Sequence, residues 1–239
     1  MARQTAFITG AGSDLGKAVA LALAREGWHI VAVLRRGDAA SALAEELRRA
    51  GGTVQTITAN VARRAELEQA TELIQAFGGT LRLLLPAAEV MYRGSFTEMN
   101  PRLWQEMIEV NLTGLLHTVQ ATLPFMESGG HILLPGSVTG WRGRPSWAVY
   151  GATKAALRSF AEALREELRP RHIHVTLLTI GAVDSPMWDR IKGEWDRETM
   201  LKPEHIAPWI LHLVEHPEVM VDEIQILPLA GGFGKRDRL

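Results

Sequence analysis

Tyr150 and Lys154 stand four residues apart in AVYGATKAALRSFAEALREEL, a run with apolar residues at helical spacing. The phenol and the ammonium therefore share one helix face. A phenol with an ordinary pKa near 10 is a poor acid–base group at neutral pH. An ammonium beside it favours the phenolate and lowers that value. Ser137 lies just past the strand-like run HILLP, thirteen residues before Tyr150. Asn111 falls inside a long helical pattern, where asparagine is a poor helix former and diverts backbone hydrogen bonds. Each residue alone has an ordinary use, as an exposed helix pair, a turn serine or a surface asparagine. Together they point to proton transfer at a bound oxygen.

A second constellation opens the chain. TGAGSDLG, residues 9–16, follows a short apolar run and precedes a helical pattern. Gly10, Gly12 and Gly16 allow a tight turn, and a helix N-terminus offers free N–H groups and a positive dipole end to phosphate. The motif alone is weak, because such glycines also serve close packing. Asp14 is unusual there. It is expected to cap the helix, which is worth about 1 kcal/mol. Facing a phosphate about 6 Å away, it would instead repel by roughly 3 kcal/mol at an effective dielectric of 20. Lys17, one turn on, is placed to offset part of that charge.

These residues must be held by elements that alternate along the chain. TAFIT, HIVAVL, TVQTITA, LRLLL, GHILLP, HIHVTLLTI and DEIQILPL read as seven strands. Between them lie helices over DLGKAVALALAREG, DAASALAEELRRAGG, RRAELEQATELIQAFGG, a long helix from Asn100 to Met126 with Pro101 in its first turn, the Tyr150 helix and PEHIAPWILHLVEH. The alternation predicts an α/β fold: a doubly wound, mostly parallel sheet with helices on both faces. Its ligand crevice is expected at the carboxyl ends of the strands. The segment AVDSPMWDRIKGEWDRETMLK, roughly 182–202, is a long irregular connection of the kind that forms lids. The terminal KRDRL is expected to fray.

Bulk properties agree with one globular domain over residues 1–239. Of the 239 residues 46% are hydrophobic, and the formal net charge is -1, so no basic balance draws the chain to nucleic acid or anionic membrane. The absence of cysteine excludes disulfides and thiolate metal sites. With no secretory h-region and no run of about 18 apolar residues, cytoplasm is the expected location.

The stretches TGAGSDLG, VNLTG, GSVTGWRGRPSWAVYGATKAAL and TIGAVDSPM resemble the short-chain dehydrogenase/reductase family, and the likeness extends over essentially the whole chain. The resemblance implies a Rossmann-like fold, a nicotinamide cofactor, a small carbonyl or alcohol substrate, and a catalytic set of Asn111, Ser137, Tyr150 and Lys154. In that family the tyrosine exchanges a proton with the substrate oxygen and the serine positions it. The lysine holds the nicotinamide ribose and lowers the tyrosine pKa, and the asparagine holds a relay water. The nicotinamide supplies the hydride. Cofactor contacts carried over are Gly10, Gly12, Ser13, Asp14, Leu15, Gly16, Asn60, Val61, Ala87, Ala88, Tyr150, Lys154, Gly181, Val183 and Ser185. The family also implies a homodimer or homotetramer built on the two helices from 101–126 and 147–168.

Departures fall on the cofactor frame. Asp14 replaces a glycine, Pro86-Ala87-Ala88-Glu89 replaces N-N-A-G, Asn60 replaces an aspartate, and Ile180-Gly181 replaces P-G. Where NAD-preferring relatives carry an acid after the second strand stands Leu34, followed by Arg35 and Arg36. An acid would bind the ribose 2′-hydroxyl, whereas arginine grips a 2′-phosphate, so NADP(H) is expected. Trp141, Trp147, Met187 and Trp188 are candidate substrate walls, with Trp195 near them. Arg93 and Arg144 are more readily solvated surface than carboxylate binders. His212 and His216, four apart, lack an evident third ligand, so no metal is expected. The alternative function is a sensor or scaffold that binds nucleotide on the same fold without turning it over.

Overall fold

The structure, a computed structural model, describes residues 4–191 and 193–229. The expected fraying of KRDRL lies outside them. Seven strands form one sheet: β1 (Thr5–Thr9), β2 (His29–Leu34), β3 (Thr53–Thr58), β4 (Leu81–Pro86), β5 (Met126–Pro135), β6 (His174–Ile180) and β7 (Glu223–Ile226). Their order is β3-β2-β1-β4-β5-β6-β7, and every pairing is parallel. Alternation along each strand divides the core. Ala6, Ile8, Ile30 and Ala32 face one side and Phe7, Val31 and Val33 the other, because successive side chains leave a strand in opposite directions.

The first face packs α1 (Asp14–Arg25), α2 (Ala40–Arg49) and α7 (Ala207–Glu215). The second packs α3 (Arg64–Thr71), α5 (Leu115–Thr122) and α6 (Ala148–Leu168). The remaining helix, α4 (Pro101–Ile108), begins with Asn100 accepting a hydrogen bond from the Arg102 amide. After β1 the chain builds β2 and β3 on one side, then returns to lay β4 on the other. The carboxyl ends of β1 and β4 thus part at the centre of the sheet, which is where a doubly wound fold binds its ligand.

Two elements differ from the sequence pattern. The long helix is not uniform: a π turn, Glu109–Gly114, separates α4 from α5, and a 3₁₀ turn, Leu123–Phe125, ends it. Asn111 sits in that π turn, where its side chain bonds to a neighbouring loop rather than to its own helix. Strand β5 begins at Met126 instead of Gly130, with a register shift between Leu81 and Leu83 of its partner. Gly129, at φ +78°, takes up the irregularity, and apolar patterning cannot register such a strand start. The segment after β6 is irregular, as expected, but its base is closed. Val183 bridges Leu201, and Arg197 and Lys202 both reach Asp184, the lysine at 2.5 Å.

Candidate active site

Ser137 follows β5 in extended conformation and starts a 3₁₀ turn, Val138–Gly140, that lies directly on α6. Two glycines permit this closeness. A Cβ on Gly140 would meet the Lys154 carbonyl carbon at 2.7 Å, and one on Gly151 would meet the Thr139 carbonyl oxygen at 2.9 Å. The Thr139 hydroxyl donates to Ser137 Oγ at 3.0 Å, and Ser137 is hydrogen-bonded to the phenol of Tyr150. Tyr150 and Lys154 are both buried. Lys154 Nζ lies 5.7 Å from the Tyr150 ring centre and donates to the Pro135 carbonyl at 2.8 Å. Asn111 Oδ1 accepts from the Val90 amide and its Nδ2 donates to the Val90 carbonyl, both at 2.8 Å. The four expected residues therefore surround one corner of the sheet, with Asn111 fixing the loop that leaves β4.

That loop brings a carboxylate into the corner. Glu89 ion-pairs with Lys154 at 2.5 Å and accepts a hydrogen bond from Tyr150. The sequence-based expectation of a depressed Tyr150 pKa is corrected here. Burial pushes the phenol well above 10, the charge and hydrogen bond of Glu89 push it further, and Ser137 opposes them. Lys154 does not act on the phenol alone, because its charge is matched by Glu89.

A cleft of about 420 Å³ runs from this corner to the glycine loop. Gly12, Ser13, Asp14 and Leu15 line its far end, with Arg35, Ala87, Gly181, Val183 and Ser185 along it. Gly10, at φ +64°, has room for no side chain, since a Cβ would lie 2.6 Å from the Ala87 carbonyl. On Gly16 a Cβ would lie 2.3 Å from the Gly10 carbonyl. The loop is thus folded tightly on itself and against the residues that follow β4. Although Pro86 and Ala87 replace the expected asparagines, Ala87 N–H still reaches the Thr9 carbonyl at 3.1 Å. The glycine cradle, the N-terminus of α1 and the arginine beside the cleft fit a dinucleotide.

Several expected contacts lie elsewhere. Ser13, not Asp14, caps α1, accepting from the Gly16 amide at 3.2 Å. Asp14 opens the helix proper and faces the cleft, where burial raises its carboxyl pKa and nearby Asp184 adds to the effect. Lys17 ion-pairs with Glu46 at 2.7 Å, and its charge still lowers the Asp14 pKa against the effect of burial, as expected. Asn60 folds onto its own loop, its Oδ1 accepting from the Ala62 amide, and Val61 and Ala88 pack into a small apolar cluster with Val110. Arg36 pairs with Asp38.

Trp147, Met187 and Trp188 line the cleft, but Trp141 is half exposed outside it, under the guanidinium of Arg158. Trp188 and Trp195 lie with ring centres 4.6 Å apart, and the guanidinium of Arg93, an exposed residue as expected, stands 5.2 Å over Trp195. Sequence reading missed Glu106, whose carboxylate receives Arg35 at 2.9 Å and the Tyr92 hydroxyl at 2.7 Å. It lies 71 residues from Arg35, and no local pattern marks it.

The sheet order, the glycine cradle and the Ser–Tyr–Lys corner define a dinucleotide-type oxidoreductase fold. Residues 4–195 match the sequence profile of the short chain dehydrogenase family, and the chain belongs to that family. Its members use NAD(P)(H), act on small molecules and are commonly oligomeric. An uncharacterized oxidoreductase of Staphylococcus epidermidis is 31% identical over 229 residues, covering 95% of this chain and 97% of its own. One from Staphylococcus aureus is 32% identical over 227 residues, covering 94% and 96%. Among solved structures, an alcohol dehydrogenase of the archaeon Thermococcus sibiricus, complexed with 5-hydroxy-NADP, superposes with a TM-score of 0.86 at 28% identity, covering 95% of this chain and 97% of that one. A short-chain dehydrogenase/reductase from Serratia marcescens gives 0.86 at 27% identity, covering 96% and 97%. No helix among the described residues is long and apolar enough to cross a membrane.

Proposed function

We propose that the whole chain is one NADP(H)-dependent oxidoreductase domain that interconverts a ketone or aldehyde and an alcohol, with residues 182–202 as its lid. The observation that carries this reading is the placement of the Tyr150 phenol beside Ser137 and Lys154, at one end of a cleft whose other end is the glycine loop. When bound, the nicotinamide supplies or accepts the hydride. Ser137 donates a hydrogen bond to the substrate oxygen and fixes it near Tyr150. Tyr150 gives that oxygen a proton in reduction and takes one in oxidation. Lys154 holds the ribose hydroxyls, Asn111 steadies the loop after β4, and the N-terminus of α1 receives the pyrophosphate. Arg35 takes the 2′-phosphate, a reading supported by its place on the cleft. Trp147, Met187 and Trp188 exclude water from an apolar portion of substrate.

A second copy of the chain is the partner of the α4–α6 surface. There Phe96 and Ile108 are exposed beside Trp104, Leu112 and Val149 in an apolar groove. Nucleic acid is not a partner in this reading, and the chain works in the cytoplasm.

A panel of ketones, aldehydes and alcohols assayed with NADPH and NADH tests the reading. Tyr150→Phe is expected to lower turnover at least about a hundredfold while leaving NADPH affinity within about threefold. Equal turnover in that variant would remove Tyr150 from its role. The pairing of Lys154 with Glu89 favours a second reading, a nucleotide-binding sensor without turnover. That reading gains if NADPH raises the melting temperature and no substrate in the panel reacts.

A further inference from the structure

Glu89 stands where the N-N-A-G stretch implied by the family resemblance has glycine, and its carboxylate fills a specific place. It lies 2.5 Å from Lys154 Nζ, and it accepts a hydrogen bond from the Tyr150 hydroxyl. The Lys154 side chain is 4% exposed and that of Glu89 is 26% exposed, so the ammonium is shut away and the carboxylate opens on the cleft. The charged and titratable groups facing Glu89 are Lys154 and Tyr150, both from α6; the Ser137 hydroxyl, from the end of β5, reaches the same phenol. The backbone holding Glu89 is itself fixed, because Val90 is clamped through both its amide and its carbonyl by Asn111.

We infer that Glu89 is a positioning residue for the Tyr150–Lys154 pair, holding the phenol protonated and the ammonium ion-paired until a nucleotide ribose takes its place on Lys154. The inference rests, for its nucleotide arm, on the reading proposed above. An ammonium has three donors, and here one goes to the Pro135 carbonyl and another to Glu89. Two ribose hydroxyls asking for donors at the same ammonium therefore compete with a charge-assisted bond, the stronger kind. Movement of Glu89 then removes a negative charge from the phenol at the moment the nucleotide seats, and Tyr150 becomes easier to ionise.

The test reads the nucleotide-free protein first. The chain has 2 tyrosines, Tyr92 and Tyr150, so a Tyr92→Phe background leaves Tyr150 as the sole phenol in ultraviolet difference titration. Glu89→Gln, which keeps shape and hydrogen bonding, is expected to lower the Tyr150 midpoint by about one unit or more, the usual effect of a close charge. Glu89→Asp, with the charge retained on a shorter arm, is expected to fall between. An unchanged midpoint in both Glu89→Gln and Glu89→Ala would overturn the assignment. Calorimetry with NADPH is the second arm. Glu89→Gln is expected to bind about tenfold more tightly, as a charge-assisted competitor is removed. A moved Tyr150 midpoint with unchanged or weaker NADPH binding would overturn the competition for Lys154. If neither NADPH nor NADH binds any form while the midpoint moves, the hold of Glu89 on Tyr150 and Lys154 stands and the proposed nucleotide function fails.

Discussion

The proposed preference for NADP(H) turns on an ion pair. Arg35 reaches Glu106 at 2.9 Å, with side-chain exposures of 66% and 28%. A pair this exposed contributes roughly 0.2–1 kcal/mol, since water and salt screen it and two long side chains must be ordered. A 2′-phosphate carries nearly two charges, and each at about 4 Å interacts by roughly 1 kcal/mol in water and about 4 at an effective dielectric of 20. Under the proposed NADP(H) reading, the phosphate should win Arg35 from Glu106, with Glu106 subtracting from the affinity. Glu106→Gln is expected to tighten NADPH by at most about fivefold, the equivalent of about 1 kcal/mol, and to leave NADH within about twofold. Arg35→Ala is expected to weaken NADPH at least about tenfold and again spare NADH. The Tyr92 hydroxyl, and after it the Arg35 guanidinium, hold the Glu106 carboxyl below its ordinary range, so the pair stays ionised across neutral pH and the effect is flat there. Calorimetric titration with both nucleotides, at low and high salt, measures each quantity, and the NADPH differences should shrink with added salt. Equal losses for both nucleotides in Arg35→Ala, or an equal gain for both in Glu106→Gln, would refute the assignment of Arg35 to the 2′-phosphate.

Asp14 gives a prediction with a definite sign. Burial raises its folded pKa, so its contribution to stability is present below its unfolded value and is lost as pH rises through the folded one. At neutral pH the ionised carboxylate opposes folding, and Asp14→Asn is expected to raise the melting temperature at pH 7, with the gain vanishing near pH 3. The same variant should tighten NADPH and NADH together by about threefold, because both carry the pyrophosphate; no change in either affinity would mean that Asp14 does not meet it. His131 runs the other way. Burial first, and then His174, lower its pKa to about 3, so stability is present above the unfolded value near 6.5 and is lost as pH falls toward about 3. The loss is at most about 1.4 kcal/mol per pH unit for one proton. His131→Asn removes the titrating ring beside Thr176, and its melting temperature should fall less steeply than the parent's between pH 6 and pH 4. Parallel slopes would place the acid sensitivity elsewhere.

Much of the fold is legible in local patterns. Strand periodicity of two and helix periodicity near 3.6 follow from backbone geometry, so apolar spacing alone announces β1, α1, β2 and α6. Ser137, Tyr150 and Lys154 lie within eighteen residues, and their meeting needs little more than a strand end, a tight turn and one helix. Where a competing local interaction decides, the sequence misleads. Ser13 and Asp14 are both good caps, and the loop geometry selects the serine. In the long helix, composition favours continuity, and the structure instead has a π turn at Asn111, whose side chain meets both bonding groups of Val90 across the fold.

The residue order by itself determines the alternating elements, the glycine-bounded first turn, and a phenol and ammonium on one helical face. The tertiary structure decides which charges stand beside them. Glu89 on Lys154, Glu106 on Arg35 and Glu46 on Lys17 are pairings across distances that no local spacing records. Electrostatic interaction depends on separation in space and on burial, and both come into being when the sheet brings its loops together.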